Sequence, residues 1–368
     1  MRNGSDHAGA WVARLQHIQA SRAYLKPKGS LVHMSAATIL CIGTVGIDEV
    51  ETPASRVENV LGGSASYFAV AASVVGSQAQ LVSVVGDDFP DAHRQMLGAR
   101  GADLAGLVTL PGKCFRWGGR YHEDMNQRET LYTDLNVLSQ FDPHLPDHFR
   151  EARYVFLANT DPLLQIKALD QVRAPDLVVL DSMNLWINIA RPALHEAISR
   201  VDVLLMNDEE VRQYTGATNV RIGARQILEH GPQAVIVKRG EYGAVMVHRE
   251  GMFTCPAFPV DHVVDPTGAG DSFAGGFVGH LAQTRDHSLA NFRRAIAHGC
   301  VVASFTVEDF STNRLVSVTP GSLVDRYRAL RDLTQFDDVT PAHPPVGSVH
   351  HAQGAPHLSL IHISEPTR

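Results

Sequence analysis

No stretch of 18 or more apolar residues occurs in this 368-residue chain, and no apolar core marks its N-terminus as a leader. The reading is therefore of a soluble, cytoplasmic protein without a membrane partner. Four cysteines, Cys41, Cys114, Cys255 and Cys300, show no C-x-x-C spacing. They imply no disulfide framework and read as reduced, mostly buried thiols. Basic runs are also missing: the 32 Lys and Arg are scattered, the net charge is −7 and the pI is near 6.2. A surface that coats nucleic acid is thereby disfavoured, and the expected partners are small molecules. No internal repeat is apparent.

What is present is 44% hydrophobic content, enough for one large core. Short apolar runs at 39–45, 80–85, 154–158, 177–181, 203–206 and 234–238 alternate with helical patterns at 66–75, 91–100, 162–172, 192–200 and 220–230. This order predicts an α/β fold, a mainly parallel central sheet flanked by helices on both faces. Residues 113–137 differ, because Phe115-Arg-Trp117-Gly-Gly-Arg120-Tyr and Thr130-Leu-Tyr-Thr133 alternate like a hairpin. They read as a small β lid over the carboxyl edge of the sheet, where open α/β sheets bind ligands.

Both ends look foreign to that pattern. Residues 1–33 read as a non-native or disordered extension, and Met34 as a natural start that leads into the first buried strand. The folded unit is expected at 34–336. Residues 337–368 read as a disordered, Pro- and His-rich tail, of which 358–368 resemble translated adapter DNA. His350, His351 and His357 in such a tail read as solvated side chains rather than a metal tract.

Chemistry concentrates in Asp265-Pro-Thr-Gly-Ala-Gly-Asp271-Ser-Phe, followed by Ala274-Gly-Gly-Phe277. A glycine turn running into small apolar residues opens a helix whose free amides and dipole favour an anion. Gly268, Ala269 and Gly270 are the candidate amides, and Asp271 in the first turn is the candidate base. A Walker loop is excluded because no Lys follows Gly270 or Gly275. A dinucleotide fingerprint is disfavoured by Phe273 at the third glycine position and by Pro266. A hydrolase elbow at Ser272 fails because Ala274 stands at the final glycine.

These residues resemble the C-terminal signature of the ribokinase family, also called the phosphofructokinase-B family, and the likeness extends over about 38–333. The resemblance implies a ribokinase-like fold with a β lid. The activity it implies is ATP-dependent phosphoryl transfer to a primary hydroxyl of a sugar or nucleoside. Asn207 and Glu210 match the family's Asn-x-x-Glu, which orders Mg²⁺ and ATP phosphates, Glu210 through water; an N-cap explains the same pair. Lys238 and Gly240, in Lys238-Arg-Gly240-Glu-Tyr-Gly243, resemble the nucleotide-side loop, although a plain hairpin turn explains the glycines as well. His298 falls where relatives carry Asn near adenine, or packs within its helix. Asp265 resembles a residue that shapes a loop for a monovalent cation such as K⁺.

On the acceptor side the resemblance assigns substrate hydroxyls to Asp48, at the end of the first strand, and a turn to Gly62-Gly63. Tyr67 departs from the family, which often has Asn there. Its ring either stacks on the acceptor or fills core. Asn184, in Asp181-Ser-Met-Asn184, is assigned to the cleft and Asp181 to the phosphates. Either a monomer or a lid-mediated homodimer is compatible with the pattern. Two alternatives remain: a kinase of a vitamin-precursor alcohol, whose relatives lack the Gly-Gly turn and lid, and a catalytically silent sugar or nucleotide sensor, which would be expected to lose Asp271.

Overall fold

A computed structural model describes residues 37–125 and 127–337; the readings made for 1–36 and 338–368 lie outside the described residues. The strands are β1 (Thr38–Ile42), β2 (Gly46–Glu51), β3 (Arg56–Gly62), β4 (Gln78–Gly86), β5 (Asp103–Leu110), β6 (Phe115–Tyr121), β7 (Arg128–Asp134), β8 (Tyr154–Leu157), β9 (Leu177–Asp181), β10 (Val203–Asn207), β11 (Ala234–Lys238), β12 (Ala244–His248) and β13 (Gly251–Cys255). The helices are α1 (Ser64–Val74), α2 (Asp91–Ala99), α3 (Pro162–Leu169), α4 (Asn184–Ile189), α5 (Arg191–Ser199), α6 (Asp208–Thr215), α7 (Val220–Leu228), α8 (Ala269–Thr284), α9 (Leu289–Thr306), α10 (Asn313–Val316) and α11 (Pro320–Thr334).

Nine strands form one sheet in the order β13-β12-β11-β10-β9-β8-β1-β4-β5. It is parallel from β11 to β5 and closes with an antiparallel hairpin of β12 and β13. The central strands are apolar almost throughout because both faces are covered. Alternate residues feed two cores: Ile39 and Cys41 pack beneath α1, α8 and α9, while Leu40 and Ile42 face the layer of α3, α5 and α7. Each fully buried Leu, Ile or Phe in these layers contributes about 1.5–3 kcal/mol.

Strand order reverses at β1. The chain runs outward from β1 to β4 and β5, then returns to β8 on the other flank of β1 and continues to β11. Such a reversal leaves a crevice at the carboxyl ends of the strands, and α8 packs across β1 and β8 with its first turn at that crevice.

The lid is a second, four-stranded sheet in the order β3-β2-β6-β7. The sequence reading gave it only 113–137 and ran the first strand on to Val45. In the structure β1 stops at Ile42 because Thr44 leaves the ladder: its N–H donates to Ser64 Oγ at 3.1 Å and its carbonyl accepts the Ala65 N–H at 2.9 Å. The chain then turns into β2, so Asp48 sits in the lid sheet rather than at the end of the first strand. The pleat sorts that sheet. On its outer face Arg120 donates to Glu51 and Tyr132 to Glu49, while Asp48, Val50, Trp117, Tyr121 and Arg128 share the inner one.

Candidate active site

The glycine turn before α8 is held from three sides. Gly268 adopts φ +75°, and a Cβ there would stand 2.3 Å from Tyr67 Cδ1, so glycine alone fits both the backbone and the space. Asp265 Oδ1 accepts the Thr267 N–H at 2.8 Å and Oδ2 the Ser311 N–H at 3.4 Å. Thr267 Oγ1 donates to Tyr121 Oη at 3.1 Å, which ties the turn to the lid. The Ala269 N–H donates to the Pro266 carbonyl at 3.2 Å and that of Ser272 to the Gly268 carbonyl at 2.8 Å. Of the first-turn amides between them, that of Asp271 turns to its own carboxylate, while that of Gly270 has no intrahelical acceptor.

Two sequence assignments change at this turn. Ala269 spends its amide on Pro266 and is not a free donor to an anion. Asp265 is 0% exposed, with its carboxylate turned onto the loop. Tyr67 is 1% exposed with its ring flat on Gly268, which makes it the support of the turn and not a stacking surface for an acceptor. Its hydroxyl has no partner among the described residues.

Asp271 is partly exposed at the crevice. Burial and the neighbouring Asp181 push its carboxyl up to about 7, against the opposing pull of Lys238 and Arg128. A carboxylate tuned to neutrality suits a proton acceptor that works at neutral pH. Asp48 faces it from the lid. Burial, then Asp265 and Asp271, raise Asp48 to about 8, and Arg128 opposes the rise. Asp48 lies directly over Gly62, where a Cβ would meet its Cγ at 2.0 Å, so the first glycine of the pair makes room for this carboxylate. Gly63, at φ +93°, caps α1.

On the other side of α8, Lys238 at the end of β11 bonds both oxygens of Asp181, at 2.8 and 2.6 Å. Its Nζ lies 3.1 Å from where a Cβ on Gly270 would stand, which puts the ammonium beside the first-turn amides. Asn207 pairs in register with Lys238 at the ends of β10 and β11. Glu210 Oε2 accepts the Asn207 N–H and Oε1 the Asn207 Nδ2, each at 2.8 Å, while Asn207 Oδ1 accepts the Glu210 N–H at 2.7 Å. The pair is thus a full capping box on α6. Burial drives Glu210 up to about 7, with Lys238 opposing and Asp181 reinforcing the shift. Both Glu210 oxygens are already engaged by Asn207.

Other candidates stand apart. Gly240, at φ +52°, opens the exposed turn between β11 and β12, as a hairpin requires. His298 is stacked between His280 at 4.3 Å and Tyr327 at 4.4 Å, where burial and then His280 lower it to about 3. It is a neutral packing residue joining α8, α9 and α11. Asn184 is exposed at the start of α4, and no hydrogen bond links it to the other candidates among the described residues. From that helix it is Trp186 that reaches back, donating to Asn159 Oδ1 at 2.8 Å.

Sequence reasoning passed over the Asp181–Lys238 pair and the lid residue Arg128. A signal for the first existed: two opposite charges each terminate a buried apolar strand, at Asp181 and Lys238. Arg128 is cross-strand partner of Tyr121 and donates to its hydroxyl. Among the described residues no group of three or more His, Cys, Asp or Glu is arranged to hold a metal ion, and no helix is long and apolar enough to cross a membrane.

Residues 29–318 match the model of the pfkB family carbohydrate kinases. The chain is similar to the cytidine kinase of Thermococcus kodakarensis, with 31% identity over 252 residues, covering 67% of this chain and 89% of that protein. Among solved structures it is similar in fold to an E. coli protein assigned as ribokinase II, in complex with ATP and Mg²⁺, at TM-score 0.66 and 20% identity, covering 80% of this chain and 99% of that one. It is also similar to the Burkholderia thailandensis nucleoside kinase in complex with inosine, at TM-score 0.66 and 20% identity, covering 80% and 98%. A family match over most of the chain, on a ribokinase-like α/β fold with a separate small sheet, shows that this chain belongs to the pfkB family of carbohydrate kinases.

Proposed function

We propose that this kinase transfers the γ-phosphoryl group of ATP to a primary hydroxyl of a nucleoside, or of a sugar, in the crevice between Asp271 and Asp48. The observation that carries the reading is the junction at the start of α8. A carboxyl raised to about 7, the amides of Gly268 and Gly270 and a largely buried ammonium 3.1 Å from the Gly270 Cβ position meet at one helix end. The nucleoside class is favoured by the cytidine kinase likeness.

In this reading Asp48 accepts hydrogen bonds from acceptor hydroxyls and aims the primary one at Asp271. Asp271 takes that hydroxyl's proton as its oxygen forms the new bond to phosphorus, while the bond from phosphorus to the departing ADP oxygen breaks. Developing charge on the equatorial oxygens is met by the amides of Gly268 and Gly270, the dipole of α8 and the Lys238 ammonium. Asn207 and Glu210 would hold Mg²⁺ through water, and the metal would neutralise phosphate charge when bound. The lid sheet, joined to the turn through Tyr121 and Thr267, excludes water from the transfer. The catalytic unit is taken as 34–336 with the lid. A vitamin-precursor alcohol as acceptor is not favoured, because the Gly-Gly turn and the lid are both present.

The test is ADP release with ATP and Mg²⁺ against a panel of nucleosides, pentoses, hexoses and pyridine or pyrimidine alcohols. Turnover with a nucleoside or sugar that disappears in Asp271→Asn supports the reading, and absence of turnover across the panel refutes it.

A further inference from the structure

The inner face of the lid carries a feature that phosphoryl transfer does not use. Trp117 and Asp48 are register neighbours on β6 and β2, so both side chains leave the same inner face that the lid turns toward the crevice. The indole also lies down across Gly119: a Cβ at that glycine would meet Trp117 Cη2 at 2.0 Å and Cζ2 at 2.3 Å. Any other residue at 119 would lift the ring off the sheet. Arg128, from the neighbouring strand β7, places its guanidinium 5.2 Å from the centre of the Trp117 ring. That guanidinium also donates to Tyr121 Oη and acts on Asp48 and Asp271. Trp117 packs against Val50, Tyr121 and Phe310 but remains half-buried, and Arg128 is exposed, so both keep surface to offer a ligand.

We infer that Trp117 and Arg128 form a subsite for the planar base of a nucleoside acceptor, with the indole as an apolar platform and the guanidinium donating to a carbonyl oxygen or ring nitrogen on the base edge. The inference rests on the kinase reading above and narrows its acceptor. The pair offers one flat apolar surface and several N–H donors with no acceptor of its own. That combination matches a base presenting acceptor atoms, such as cytosine or hypoxanthine. A free pentose held by Asp48 has no planar group to lay against the indole and no base edge for the fork. Arg128 serves a second purpose in the same position, since it is the cation on the inner face nearest the two raised carboxyls.

The experiment compares kcat/KM for cytidine, inosine and ribose in the full chain and in Arg128→Gln, Arg128→Lys and Trp117→Leu. The wild type is expected to favour the better nucleoside over ribose by 10-fold or more. Arg128→Gln and Trp117→Leu are each expected to lower that ratio at least 10-fold, chiefly through KM for the nucleoside. Arg128→Lys keeps the charge but loses the planar fork, and is expected to behave like Arg128→Gln. KM for ATP and the melting temperature, measured on each variant, separate a lost subsite from a lost fold. A ratio restored by Lys would show that Arg128 only screens the acids, and would overturn the subsite. A wild type that prefers ribose overturns the subsite while the kinase reading stands. A wild type that releases ADP with no acceptor overturns both.

Discussion

The Lys238 ammonium grips both oxygens of Asp181, and the pair is almost sealed from water, with side-chain exposures of 18% and 3%. Burial raises the Asp181 carboxyl and pulls the Lys238 ammonium down, while each partner favours the other's charged form. Removing one partner strands the other's charge. Lys238→Met is therefore expected to destabilise the fold by roughly 3–5 kcal/mol, and Asp181→Asn/Lys238→Met to recover most of that loss, read from denaturant melts of both. Because Lys238 also holds Asp271 down, removing it should shift the acid limb of kcat/KM to higher pH. An unshifted limb in a folded Lys238→Met protein would separate the ammonium from the base.

Asp271→Asn is expected to cut kcat by roughly 10² or more while KM for ATP stays within a few-fold, since the cradle amides survive the change. In the wild type the acid limb should fall near pH 7, where Asp271 gains its proton and ceases to accept another. Steady-state kinetics from pH 5 to 9 check both, and a limb near pH 4 would remove Asp271 as the base.

Gly268 and Tyr67 are one packing unit. Gly268→Ala meets the Tyr67 ring and a positive φ together, and is expected to cost about 1–3 kcal/mol and to abolish turnover by moving the amides. Tyr67→Phe removes only an unpartnered buried hydroxyl. It is expected to leave stability unchanged or raised by up to ~1 kcal/mol, with the ranking of acceptors intact. Thermal melts and the acceptor panel decide; a changed ranking in Tyr67→Phe would return that ring to the acceptor.

Asp48 carries a stability cost that depends on pH. Folded, it keeps its proton up to about 8, whereas the ordinary value for an unfolded chain is 3.8. Between these values the folded state binds more protons, so stability falls as pH rises through the window. Asp48→Asn is expected to raise Tm at pH 8 by roughly 2–4 °C, the effect of about 1 kcal/mol, and to match the wild type near pH 4. Acceptor KM should rise up to about 10-fold, from a poorer hydrogen bond to the acceptor hydroxyls. Calorimetry at the two pH values tests the first part, and equal melting at pH 8 would place Asp48 in water.

The buried parallel strands were legible because a strand covered on both faces is apolar throughout, as in Leu177–Asp181 and Ala234–Lys238. Strands β2 and β3 were not, since their outer face carries Glu49, Glu51 and Arg56 and their alternation is broken by a bulge between Asp48 and Val50. At the site, residue types conveyed the chemistry of Asp271 and Gly268. They could not convey direction: Tyr67 could equally face core or acceptor until Gly268 placed it. Nor could they convey pairing at a distance, since Asp181 and Lys238 are 57 positions apart.

Asp48 is built into β2 of the small sheet and Asp271 into α8 above the large one, so the carboxyl that helps raise Asp48 belongs to a different body. Their repulsion then acts as a spring across the crevice, slack while either keeps its proton and compressed once both are ionised. Alkaline solution should push the sheets apart in the empty enzyme, and acceptor hydroxyls, by donating to Asp48, should release the tension. A radius of gyration that grows between pH 6 and pH 9 in X-ray scattering, and shrinks again when acceptor is added, is the signature of that spring.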